Sequence, residues 1–333
     1  MIRRLLPLVV ALAILGAACG SENAAETTPL DTLTTTSTVV VSTSLVPETT
    51  TTLSPDDGFP VTIEAPNGAV TIEARPERIV SIAPTSTEVL FAIGAGGQVV
   101  AVDDQSNFPT NAPMTDLSAF TPSVEAIASY DPDLVFLSFD PSGIVAGLEA
   151  IGIPVILHGT ALSVDDAYAQ WHQVGIATGH LAEAVTLVEE TKASMRSAFE
   201  SLPDATSTLA YYYELSPTFY SVTSATFIGG LLAPSGMQNI ADAVDADGFG
   251  YPQLSAEYII DADPALIFLA DTKCCGASRE TVSERPGWDT LTAVSQGSVV
   301  ELDDDIASRW GPRISNLVDD VVEGIRELDP VNT

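Results

Sequence analysis

The sequence predicts an α/β protein of two lobes, each with a mainly parallel sheet, joined by a single long rigid helix. Three observations carry this. Ser123 to Ser138 (SVEAIASYDPDLVFLS) and Ser255 to Ala270 (SAEYIIDADPALIFLA) align without a gap at an offset of 132 residues. Ser123 matches Ser255, Glu125 matches Glu257, Ile127 matches Ile259, and Asp131-Pro132 coincides with Asp263-Pro264 ahead of LVFL and LIFL. Each copy reads as a short helix, a breaking proline and a buried strand. Between the copies, Leu181 to Ser201 carries apolar residues at Leu181, Val185, Val188, Met195 and Phe199, with Glu183, Glu189, Glu190, Lys192 and Arg196 on the wetter side. That is one amphipathic helix, about 30 Å long, more than a local connection needs. Strands alternate with helices on both sides of it, the rhythm of a parallel sheet covered on both faces.

The chain opens with a targeting segment over residues 1–18: Arg3 and Arg4, the apolar run Leu5 to Leu15, then Gly16-Ala17-Ala18 before Cys19. The run is too short to span a bilayer, and small residues ahead of a cysteine resemble a bacterial lipoprotein signal with Cys19 as the lipidated residue. Residues 19–58 turn to Thr, Ser, Pro, Glu and Asp. They lack the apolar density to order themselves and read as a tether. Residues 59–180 are then expected to form the first lobe, 181–201 the connecting helix and 202–333 the second lobe.

Within the first lobe, Val61 to Ile72 alternates around Asn67-Gly68 as a hairpin. Arg78 to Ile82, Val99 to Val102, Asp133 to Ser138 and Ile153 to Leu157 follow as strands, with helices from Pro84 to near Gly94 and from Ser142 to Ala150. In the second lobe, Thr208 to Tyr213, Phe219 to Thr223, Ala265 to Ala270 and Ser298 to Leu302 read as strands. Ala225 to Leu232 and Ile314 to Leu328, the latter just after Gly311-Pro312, read as helices. In lobes of this kind ligands lie beyond the carboxyl ends of the strands.

Composition narrows the function. The 333 residues are 46% hydrophobic and carry a formal charge of −33, which supplies buried cores and excludes nucleic acid as a partner. No nucleophile with its base, paired acids or phosphate loop has adequate context, and Gly94 to Gly97 ends a helix where a phosphate loop would open one. An enzyme is therefore not expected, and an adhesion protein would show a surface patch in place of a cleft. His158, His172 and His180 are scattered, so no metal site is expected. Haem ligation through Tyr211 to Tyr213 competes with a plainer role in the sheet core. Asp271-Thr272-Lys273-Cys274-Cys275-Gly276 follows a strand at the expected ligand edge. Its adjacent cysteines leave three readings open: a vicinal disulfide, free packed thiols, or direct ligation of a ligand's metal.

Taken together, RIVSIAPTSTEVLFAIGAGGQVVAV, VEAIASYDPDLVFL, AEYIIDADPALIFL and GPRI resemble the extracytoplasmic solute-binding proteins of ABC importers for cobalamin and ferric siderophores. The resemblance runs from Arg75 to the C-terminus. It implies a ligand cleft between the lobes, little lobe movement, and a monomer lipid-anchored on the outer face of the cell membrane. Partners would be the permease with its cytoplasmic ATPase, and the cargo a cobalt corrinoid or ferric chelate, with no resident cofactor. By position, Glu125 and Glu257 are implied to dock on the permease. Phe108, Phe120, Tyr213 and Tyr251 are implied as cleft aromatics and Asp305, Arg309 and Trp310 as ligand-facing, while Lys273, Arg309 and Arg313 are the cations an anionic chelate would need. A haem or metal-ion receptor of the same architecture is the alternative.

Overall fold

The computed structural model describes residues 58–328; the expected leader, Cys19 and all of the expected tether but Gly58 lie outside these described residues. Strands β1 (Val61–Ala65) and β2 (Gly68–Ile72) form an antiparallel hairpin with Val61 opposite Ile72 and Ala65 opposite Gly68. Asn67 at its turn seats the hairpin on the first sheet, donating to the Val155 carbonyl at 3.0 Å and accepting from the Leu157 amide at 3.1 Å.

That sheet consists of β3 (Ile79–Ile82), β4 (Val99–Val102), β5 (Leu134–Leu137) and β6 (Val155–Leu157), ordered β4-β3-β5-β6 with every pair parallel. The second consists of β7 (Ala210–Glu214), β8 (Gln238–Asn239), β9 (Leu266–Leu269) and β10 (Val299–Glu301), ordered β8-β7-β9-β10, again all parallel. Counted within its own half, each sheet runs second, first, third, fourth, so the duplication seen in sequence is a duplication of topology. The echoed segments are α2 (Val124–Ala128) with β5 and α7 (Ala256–Ala262) with β9. Ser123 and Ser255 cap the two helices by accepting from the Ala126 and Tyr258 amides. Asp131 and Asp263 leave them at φ 50° and 41°. Proline disfavours right-handed helical backbone in the residue before it, and aspartate tolerates the left-handed alternative.

The long helix α5 spans Leu181–Glu200 and is not alone. A helix not read from the sequence, α4 (Val164–Thr178), packs back along it, opened by a reciprocal cap between Ser163 and Asp166 and closed by Gly179 at φ 75°. Gly175 makes the close approach feasible, since a Cβ there would stand 2.5 Å from Ala184 Cβ. The last helix, α12 (Ile314–Arg326), also packs on α5. A single apolar cluster runs through this layer and under both sheets, joining Leu90 of α1 (Pro84–Ala92), Phe136, Trp171, Val188, Met195, Tyr213, Phe268 and Val321. Each sheet has a separate cluster, around Ile127 and Leu148 in the first half and around Ile259 and Trp288 in the second.

One expected strand fails. Over Phe219 to Thr223 only Tyr220 bridges, to Gln253, and the fourth strand of the second sheet is Gln238–Asn239. Phe219 interrupts extension with φ 65° and stacks on Trp288 at 5.7 Å. Among the described residues no helix is long and apolar enough to cross a membrane.

Candidate ligand-binding site

The carboxyl edges of the two sheets meet where the loop after β4 touches the one-turn helix Asp304–Ala307 after β10, through Asn107, which donates to Asp305 at 3.1 Å. Around this edge stand six exposed aromatics, and each lies between the carboxyl end of a strand and the next helix. Phe108 and Phe120 follow β4, Phe139 follows β5, Tyr220 follows β7, and Phe249 and Tyr251 follow β8. Phe249 is 78% exposed and meets Tyr251 edge to face at 5.8 Å. Apolar rings held in water by loops at strand ends offer contact area to a flat partner. Phe108, Phe120 and Tyr251 were expected there. Phe139, Tyr220 and Phe249 were not; Phe139 stands just past the end of β5, a signal that finds it, whereas Tyr220 falls inside the strand expected over Phe219 to Thr223 and Phe249 follows β8, a strand the sequence does not announce. Tyr213 requires correction. It is 0% exposed within β7, pointing into the shared core, where its ring tilts against Phe268 at 6.2 Å, so it offers no face to a ligand.

The polar residues expected at the ligand hold the lobes together. Glu88, on α1 and 3% exposed, accepts from Arg309 Nη1 at 3.0 Å and from Arg313 Nε and Nη2 at 3.0 and 2.5 Å. Arg309 also donates to Asn107, to the Gln105 carbonyl and to Asp305, and the Arg313 guanidinium lies 4.3 Å over the Phe108 ring. Trp310 donates to Gln170 at 2.7 Å while its carbonyl accepts from the Trp171 indole at 2.9 Å. Gly311 permits this turn, since a Cβ there would stand 2.9 Å from Glu88 Oε2. Lys273 is likewise engaged, with Nζ 2.5 Å from Asp303 and 2.9 Å from Asp305. The cations that an anionic ligand would need are therefore already neutralised.

Behind the second lobe's edge lies a buried charge cluster. Glu214 ends β7 and is gripped by both Arg285 amino groups at 2.6 Å, and the guanidinium stacks on Trp288 at 4.5 Å. Asp271, just past β9, is fully buried, and neither oxygen has a well-formed hydrogen-bond partner among the described residues. Burial, then the charge of Glu214, push its carboxyl up to about 7, against partial relief from Arg285. With its folded value above the unfolded 3.8, this group binds a proton in the fold that the unfolded chain has lost. Stability should therefore fall as pH rises from about 4 to about 7 and level off above, by ~2–4 kcal/mol for a shift of this size. Asp271→Asn should flatten that slope and raise the urea midpoint at pH 8. An unchanged slope would show that another group governs it.

Glu125 and Glu257 are exposed in the first turns of α2 and α7, at equivalent places on the two lobes. Glu125 is held below the usual carboxylate range by its own backbone amide and then by the Ser123 hydroxyl. Cys274 and Cys275 are exposed free thiols on the one-turn helix α8 (Thr272–Cys275), and no ring joins them in this structure. His158 is buried against Ser86 Oγ at 3.1 Å, and burial pushes it down to about 4, so it is neutral near pH 7. Among the described residues no cluster of three or more His, Cys, Asp or Glu is placed to hold a metal ion.

Loops that expose rings to solvent at the strand ends of two matching α/β halves fit the class of solute-binding proteins. Residues 79–306 match the periplasmic binding protein family, and the chain belongs to it. It is 30% identical over 283 residues to an uncharacterized ABC transporter substrate-binding lipoprotein, YvrC, of Bacillus subtilis, covering 80% of this chain and 86% of that one. It is 31% identical over 267 residues to a cobalamin-binding protein of Halobacterium salinarum, covering 77% and 71%. A solved structure titled as a possible iron-binding (periplasmic solute-binding) protein from Staphylococcus epidermidis superimposes with a TM-score of 0.65 at 26% identity, over 75% of this chain and 98% of that one.

Proposed function

We propose that this chain is the lipid-anchored extracytoplasmic receptor of an ABC importer, and that it captures a corrinoid between its lobes and delivers it to the permease. One observation carries the choice of ligand. Six aromatics surround the carboxyl edges of both sheets, while the cations nearby, Arg285, Arg309, Arg313 and Lys273, are each paired with a carboxylate. A large flat chelate gains from aromatic area. An anionic one would have to compete for guanidiniums that Glu88 and Glu214 already hold, at the cost of baring a buried carboxylate. Cyanocobalamin, whose corrin and phosphate charges cancel, meets neither obstacle. The name of the Halobacterium relative supports the same reading.

The test is calorimetric titration of the full chain, recovered in detergent, with cyanocobalamin, a neutral ferric trihydroxamate, a ferric tris-catecholate and haemin. One-to-one cyanocobalamin binding with Kd below about 1 μM is expected, with no heat from the tris-catecholate. The double variant Phe249→Ala, Tyr251→Ala should weaken binding by about 10- to 100-fold. Binding of the trihydroxamate alone would move the specificity to iron uptake, and binding of haemin alone would assign an exposed phenol, Tyr220 or Tyr251, as iron ligand.

A further inference from the structure

We propose that Cys274 and Cys275 are a modification site, a thiol–disulfide switch whose closure unwinds α8 and releases the Asp303–Asp305 segment from the facing lobe. The thiols are free, exposed and carried by adjacent residues. They stand on a helix whose first amides converge on one carboxylate. Asp304 accepts from the amides of Thr272, Lys273 and Cys274 at 2.8, 3.0 and 2.8 Å and from the Thr272 hydroxyl at 2.7 Å. Lys273 reaches from the same turn to Asp303 and Asp305, and Asp305 is what Asn107 and Arg309 grip. A short chain of contacts thus leads from the thiols to the junction of the lobes.

Closing the ring is incompatible with this turn. Neighbouring Cα atoms are about 3.8 Å apart, whereas disulfides usually span about 4.4–6.8 Å. Successive helical side chains also diverge by about 100°. The Cys274–Cys275 backbone must leave helical angles to bring the sulfurs into bonding distance, and the Cys274 amide then turns away from Asp304. An exported protein meets disulfides as oxidants, either small-molecule disulfides or that of a thiol oxidoreductase. One thiol of the pair loses its proton to solvent and attacks the incoming disulfide, forming a mixed disulfide and expelling a thiolate. The second thiol, deprotonated in turn, attacks the mixed disulfide and expels the other thiolate. The pair loses two electrons and two protons, and the incoming disulfide becomes two thiols. Strain makes the ring easily reduced, which suits a reversible switch.

The consequence for cargo rests on the corrinoid reading above; the switch itself does not. The full chain is treated with oxidised glutathione or with dithiothreitol and followed by peptide mass mapping and amide hydrogen exchange, with cyanocobalamin titrated into each form. The expected result is a loss of two hydrogens in the Cys274–Cys275 peptide, amide exchange over 271–277 and 303–309 faster by about tenfold, and cyanocobalamin binding about tenfold weaker. The variant Cys274→Ser, Cys275→Ser should exchange like the reduced protein under both treatments. The proposal is overturned if the peptide keeps both hydrogens, or if the ring forms while exchange over 303–309 is unchanged. Binding of cyanocobalamin by neither form defeats the corrinoid reading and leaves the switch to be decided by exchange alone.

Discussion

Glu88→Ala should destabilise the fold by about 3–5 kcal/mol, the cost of stripping the partner from a buried ion pair. Three guanidinium contacts from Arg309 and Arg313 end on this one carboxylate, which is 3% exposed. Without it Arg313 keeps the face of Phe108 and the charges of Asp303 and Asp305 nearby, and Arg309 keeps Asp305, Asn107 and a carbonyl. Glu88→Gln should fall between parent and alanine, because it retains the shape but replaces one acceptor with a donor. Glu88→Ala with Arg313→Met should recover part of the loss, since the stranded charge is gone. The measurement is the urea midpoint, taken at low and at high salt. A buried cluster is weakly screened, so the deficit should persist in salt; a deficit that salt erases would mean the pair acts as a surface contact. Because Arg309 and Arg313 join α1 to the turn before α12, the alanine variant should also weaken ligand capture.

Reversing Glu125 and Glu257 to arginine should abolish uptake and leave both ligand affinity and stability near the parent's. Both side chains are exposed on first helical turns. Our reading makes them the contacts to basic residues of the permease. An exposed ion pair contributes little to affinity, but two of them at equivalent points fix orientation, and a like charge in each place repels. Each single reversal should reduce uptake partially and the double should eliminate it, as measured by accumulation of labelled cyanocobalamin in cells expressing the full transporter. Full uptake by the double variant would remove these residues from the docking role.

The duplication was legible because it rests on local chemistry. A capping serine and an Asp-Pro exit act within a few residues, so both copies announce themselves. The helix α4 carries an equally local signal, Ser163 three residues before Asp166, but its apolar stripe is masked in the sequence because it includes the long side chains Tyr168 and Trp171, which tertiary packing alone makes core. The binding edge was half legible. Whether an aromatic is core or cleft depends on where its strand stops, and β7 runs one residue beyond the strand read from sequence, with Tyr213 inside it. The roles of Arg309 and Arg313 could not be read locally, because Glu88 lies 221 and 225 residues away.

The apolar cluster that passes beneath both sheets has a bearing on traffic at the membrane. Swinging one lobe against the other would have to shear contacts among Trp171, Val188, Met195 and Val321, and a close-packed interior resists that. On this packing the chain is expected to keep nearly one outline whether vacant or full, with Glu125 and Glu257, the docking contacts we propose, at a constant spacing. A vacant copy should occupy the permease as readily as a loaded one. Overproducing the receptor while cargo is scarce should then slow import, as idle copies take turns at the gate.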